Sequence, residues 1–150
     1  MLKKYLSVRL LTAAVIATSI AIGTPAQAQD EEHSELYQTM DIINDHYKTL
    51  GRGLRKVNAD NKQPLIEATV KMRELFVKAK EMMPSKIEAM PEGDRKAQME
   101  AYQGLMSLSI ETLTKIEAAL KADNFEEADT LFDVLKDEKA EGHENFQTDD

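Results

Sequence analysis

Met40 and His143 are the residues of this chain whose types and spacing could do chemistry together. Met40 belongs to an apolar series, Leu36, Met40, Ile43, Tyr47, Leu50, Leu54 and Val57, whose alternating steps of four and three define one face of a helix laid into a bundle seam. His143 belongs to a second series near the other end of the chain: Ala128, Leu131, Phe132 and Leu135, then Lys139, Gly142, His143 and Phe146. With the first helix starting near Glu32, Met40 lies about 12 Å along it, and His143, close to the chain end, lies about 10 Å from that end, at roughly 1.5 Å per residue. If the first and last helices run in opposite directions, the two side chains are level to within a turn. A thioether facing a neutral imidazole is a ligand pair for one iron, the axial set of a haem. Position alone leaves plainer readings open, because a seam methionine is ordinarily core filler and a histidine beside an acidic terminus is ordinarily solvated.

The second seam adds a reason to look for a ligand. Two turns that should present bulky apolar side chains offer Lys139, Gly142 and His143 instead, while the first helix offers Leu36, Met40 and Ile43 at that level. Either this end frays into water or something else fills the gap, and Gly142 leaves room there for a flat ring system. Other chemistry finds little footing. His33, His46 and scattered carboxylates or methionines could bind metal, but the Glu-x-x-His pairs of helical di-metal sites do not occur. His46 is expected on a solvated flank. No nucleophile and base constellation can be assembled, so a catalytic role is not expected. A cofactor-free helical interaction or chaperone-like protein, using the chain's eight methionines as an adaptable surface, remains an alternative.

The elements that must position the pair follow from pattern and punctuation. Residues 1–28 read as a secretory signal peptide: Lys3, Lys4 and Arg9, then an uncharged run from Leu10 to Gly23, then Ala26-Gln27-Ala28 as a cleavage site. The apolar run is shorter than the roughly 20 residues a spanning helix needs, so cleavage after Ala28 and export to the periplasm are expected. Residues 29–150 then form one domain. Without Lys3, Lys4 and Arg9, 16 basic residues face 27 acidic ones, a net charge of −11. Such a balance argues against nucleic acid and anionic membrane and for docking on basic protein surfaces. With no cysteine, stability must come from packing or from a bound cofactor.

Four helices are expected. The first interrupts its seam at Gly51 and Gly53, each costing about 1 kcal/mol of helix propensity, which allows a bend or early fraying. Asp60 and Asn61 are cap-type residues before a second helix whose seam runs through Leu65, Ala68, Met72, Leu75, Phe76, Ala79 and Met82 or Met83 to Pro84. Ser85 to Glu88 has capping-box form and could start a short extra turn. A third helix runs from about Asp94 to Ala122, and Asn124 with Glu127 fits the cap of the fourth. Short connections make neighbours antiparallel, so the expected fold is an all-α, antiparallel up-down-up-down four-helix bundle. The segments 29–33 and 147–150 are expected to be loose.

On these residues the chain resembles the soluble cytochrome b562 family. The stretch from Leu36 through Met40 to Lys48 is similar to that family's first-helix motif, with Met40 at the ligand methionine. Met72-Arg73 and Ala119-Leu120-Lys121 are similar to segments of its second and third helices, and Leu135-Lys136 stands at the family's spacing before the histidine, here His143. The likeness spans about residues 34–147. It implies one non-covalent haem b per chain held by Met40 and His143 as axial iron ligands, a periplasmic electron-transfer role, and a monomer that meets redox protein partners. Covalent haem attachment through Cys-x-x-Cys-His is impossible without cysteine. The family tends to carry arginines one turn either side of the histidine; here those positions hold Lys139 and Gln147.

Overall fold

The computed structural model describes residues 34–147. The expected leader at residues 1–28, its cleavage point after Ala28, His33 and residues 148–150 lie outside them. Within that range the chain forms α1 (Glu35–Leu54), α2 (Gln63–Ala79), a single turn α3 (Ser85–Glu88), α4 (Glu92–Lys121) and α5 (Phe125–Phe146). No strand occurs among the described residues. The described residues form an all-helical bundle.

Local chemistry explains most of the boundaries. Ser34 caps α1, its hydroxyl oxygen accepting from the Tyr37 amide at 3.0 Å, which satisfies one of the free donors of a helix start. Helix α1 passes through both glycines and ends at Leu54, leaving Val57 half-buried beyond it. The glycines serve close approach. A Cβ at Gly51 would lie 2.7 Å from Phe132 Cζ, and one at Gly53 would overlap the Leu65 side chain. Asn124 caps α5 as expected, accepting from the Glu127 amide at 3.4 Å while its own amide donates to Glu127 Oε2 at 2.6 Å. Before it, Asp123 takes the left-handed conformation at φ 59°, one that Asp tolerates better than most residues.

Two expected caps are not formed. Lys62, not Asp60 or Asn61, holds the α2 cap position and makes no side-chain capping bond. Asn61 folds the preceding loop instead: its oxygen accepts from the Asn58 amide at 2.8 Å and its nitrogen donates to the Lys56 carbonyl at 2.9 Å. At α3, Pro84 holds the cap position and Ser85 is already helical, without a side-chain cap bond. Helix α2 ends at Ala79 rather than at Met82 or Met83, and α4 starts two residues ahead of Asp94, at Glu92.

Helix α1 packs on α2, α2 on α4, and α4 on α5, while α1 meets α5 more sparingly. The main core includes the fully buried Leu50, Met72, Leu113, Ile116 and Leu120. Each side chain of this kind contributes roughly 1.5–3 kcal/mol by leaving water. A smaller cluster of Ile87, Tyr102, Leu105 and Met106 sits apart from it, and Met40 and Phe76 touch both. One end of the bundle is tied by Lys62 to Asp123 at 2.6 Å and by Arg73 and Lys121 to the two oxygens of Glu117, each at 2.5 Å. At the other end, Tyr102 OH donates to the Ala79 carbonyl at 2.9 Å, and Lys86 Nζ donates to the Glu144 carbonyl at 3.1 Å. The second contact steadies the last turn of α5, which carries His143.

Candidate functional site

The gap anticipated at the end of the last seam is a cavity of about 340 Å³, within the range of cofactor and small-molecule sites. Four helices wall it: α1 with Met40, Ile43 and Tyr47, α2 with Met72 and Phe76, α4 with Tyr102, Met106 and Ser109, and α5 with Leu135, Gly142 and His143. The lining is mostly apolar. It lies where the two core clusters fail to merge, since Met40 and Phe76, the residues touching both, are also on its wall. That failure traces to α5, which supplies Glu138, Lys139, Gly142 and His143 where an ordinary seam would supply leucines.

Both sequence-predicted ligand residues line this one cavity, from the first and last long helices. Met40 is half-buried and packs against apolar neighbours of both clusters. His143 lies in the last turn of α5 and is exposed overall. Burial of part of its ring, and secondly the positive charge of Lys139, hold the imidazole below its ordinary pKa. Both causes favour the neutral ring that a metal requires. Among the described residues no hydrogen bond engages either ring nitrogen. His46, half-buried on α1, is not on the cavity wall.

Lys139 is on the cavity wall and has no carboxylate partner among the described residues. Its Nζ donates to Asn44 Oδ1 at 2.8 Å and stands 4.5 Å from the Tyr47 ring centroid. Burial, with Lys48 adding repulsion, lowers its pKa. Gln147, at the other position where the family tends to carry arginine, also lines the mouth, and its carbonyl accepts from Lys86 Nζ at 3.4 Å. Tyr102 is a buried anchor: its ring meets Phe146 edge-on at 5.4 Å, and burial raises the pKa of its phenol strongly.

Sequence reasoning missed Glu138, whose Oε1 accepts from Thr112 Oγ1 at 2.7 Å across the α4–α5 interface. The signal was present: Glu138 follows Leu135 by three residues and so shares its buried face. Sequence reasoning also missed Asn44 and Thr112, which are ordinary polar residues until the neighbouring helix is in place.

The residues fit a haem iron better than any bare ion. No cluster of three or more histidine, cysteine, aspartate or glutamate residues that could hold a metal exists among the described residues. A soft thioether and a nitrogen donor on apolar walls match the requirements of an axially ligated porphyrin. No helix among the described residues is long and apolar enough to cross a membrane. No individual curated protein matches the chain. The family model for cytochrome b562 does match it, over residues 35–147, from the first residue of α1 to the residue after α5. That span covers every helix and every wall of the cavity apart from Ser34 at its rim, and the chain therefore belongs to the cytochrome b562 family, whose members are helical proteins that bind haem b and carry electrons.

Proposed function

We propose that this protein is a periplasmic electron carrier holding one non-covalent haem b, with Met40 and His143 as axial iron ligands. The observation that carries the assignment is that these two side chains, more than a hundred positions apart in sequence, line the same apolar cavity. Bound there, the haem supplies reversible one-electron chemistry at iron. Met40 and His143 would hold the iron and leave no ligand position for a substrate, and Ile43, Met72, Phe76 and Leu135 would keep water from the group. Met40 favours the reduced iron more than a second histidine would. An up-down-up-down, antiparallel arrangement of α1, α2, α4 and α5 is supported by paired contacts: Glu35 with Lys78, Ala79 with Tyr102, Thr112 with Glu138, and Asn44 with Lys139. Export to the periplasm is supported by the leader pattern of residues 1–28, and a monomer docking on basic redox partners by the acidic balance of the rest.

The test is a visible spectrum. The full chain, expressed in a haem-sufficient host, is expected to show sharp low-spin bands on reduction, and these should disappear in both Met40→Ala and His143→Ala. A helical, colourless protein that gains no bands with added hemin would overturn the assignment.

A further inference from the structure

Axial ligation gives no task to Glu138, a charged group on the cavity wall. Glu138 Oε1 is occupied by Thr112, but Oε2 is shut off from solvent and has no hydrogen-bond partner among the described residues. Nor does the carboxylate form an ion pair with its neighbour Lys139, whose Nζ is turned to Asn44 and the Tyr47 ring. A carboxylate oxygen held away from water and left unpaired acts on its surroundings with little screening. The other titratable groups on the wall do not cancel it. Helix α1 brings Tyr37, Asp41 and Tyr47, α4 brings Tyr102, and α5 brings Lys139 and His143, while α2 contributes only Met72 and Phe76. Asp41 is exposed, so water screens it, and Lys139 is the one opposing fixed charge.

Resting on the haem reading above, we propose that Glu138 tunes the site toward oxidised iron. The core of an iron porphyrin carries one net positive charge when ferric and none when ferrous. A fixed negative charge in the wall therefore favours the ferric form, and Glu138 acts as a positioning charge without touching the metal. Across a cavity of this size the preference is on the order of tenfold in the ferric-to-ferrous ratio. For a one-electron couple a tenfold change is about 59 mV.

Two measurements on the full chain test this. Spectroelectrochemical titration of the haem protein is expected to give Glu138→Gln a potential higher by roughly that one decade, with unchanged low-spin bands. Independently of redox, gallium(III) and zinc(II) protoporphyrin differ by the same core charge. Wild type is expected to prefer the gallium form about tenfold more than Glu138→Gln does. Glu138→Leu, which fills the wall without a polar group, gives the same comparison if the glutamine variant does not fold. A haem-binding protein whose potential and gallium-to-zinc preference are the same with and without Glu138 overturns this inference alone. A wild-type chain that takes up none of these porphyrins overturns the haem reading and this inference with it.

Discussion

His143 has to be neutral to bind metal, and its surroundings already bias it that way. Burial is the larger cause of its lowered pKa and the Lys139 charge the smaller, so the two can be separated by substitution. In the haem-free protein the imidazole is expected to titrate below its ordinary value of about 6.5. Lys139→Gln should raise the midpoint only part of the way back, as read from the ring proton shifts by NMR. Full recovery would mean that charge, not burial, governs the site. The stability consequence has a definite sign. Between the lowered folded pKa and the unfolded value, the unfolded chain binds more protons, so stability of the haem-free fold should fall as pH drops through that window. Chemical denaturation at pH 7.5 and at pH 5 reads this contribution by comparing wild type with His143→Gln, in which the acid-dependent loss should shrink.

The helices show why some glycines are fixed and others free. Gly53 sits where α1 and α2 touch, and a methyl group there would overlap Leu65; at Gly104, exposed on α4, an added methyl would meet no described atom within 4 Å beyond its own helix backbone. Alanine at either site gains about 1 kcal/mol of helix propensity. At Gly53 the overpacking cost of about 1–3 kcal/mol opposes that gain. Gly104→Ala is therefore expected to be about 1 kcal/mol more stable than wild type, and Gly53→Ala less stable despite the better helix former. Urea denaturation of the two variants checks both signs. From sequence alone the two glycines are indistinguishable, because the difference lies in a side chain contributed by another helix. The caps obey a different, local limit. Asn124 was legible because its partner Glu127 is three residues away, whereas Asn61 had equally local alternatives at Asn58 and Lys56 and took those. The seams and the underfilled face of α5 were legible because helical period sets them locally. Glu138, Asn44 and Thr112 were not, since each acquires its meaning from a partner on another helix.

Over the whole molecule, two properties act together: an underfilled core and an excess of negative charge. The cavity separates two apolar clusters, so a ligand that fills it joins them. Because such a ligand binds the folded chain only, it stabilises that state, by about 2.7 kcal/mol at a hundred times its dissociation constant. Removing haem is accordingly expected to lower the melting temperature, which calorimetry of the extracted and reconstituted protein measures. Charge decides what the filled molecule meets. The full chain carries −8, with 27 acidic residues against 19 basic, and charges this numerous raise the potential around the surface well beyond contact range. That potential attracts cations and repels anions, and salt shortens its reach to about 8 Å at 0.15 M. Electron exchange with a small cationic ruthenium ammine should therefore slow as ionic strength rises, by roughly tenfold from low to high salt. Exchange with an anionic iron cyanide complex should quicken over the same range. Stopped-flow rates for the two reagents against the haem-loaded protein give opposite slopes if the acidic surface controls encounter, and parallel slopes if electron exchange occurs through a neutral patch at the cavity mouth.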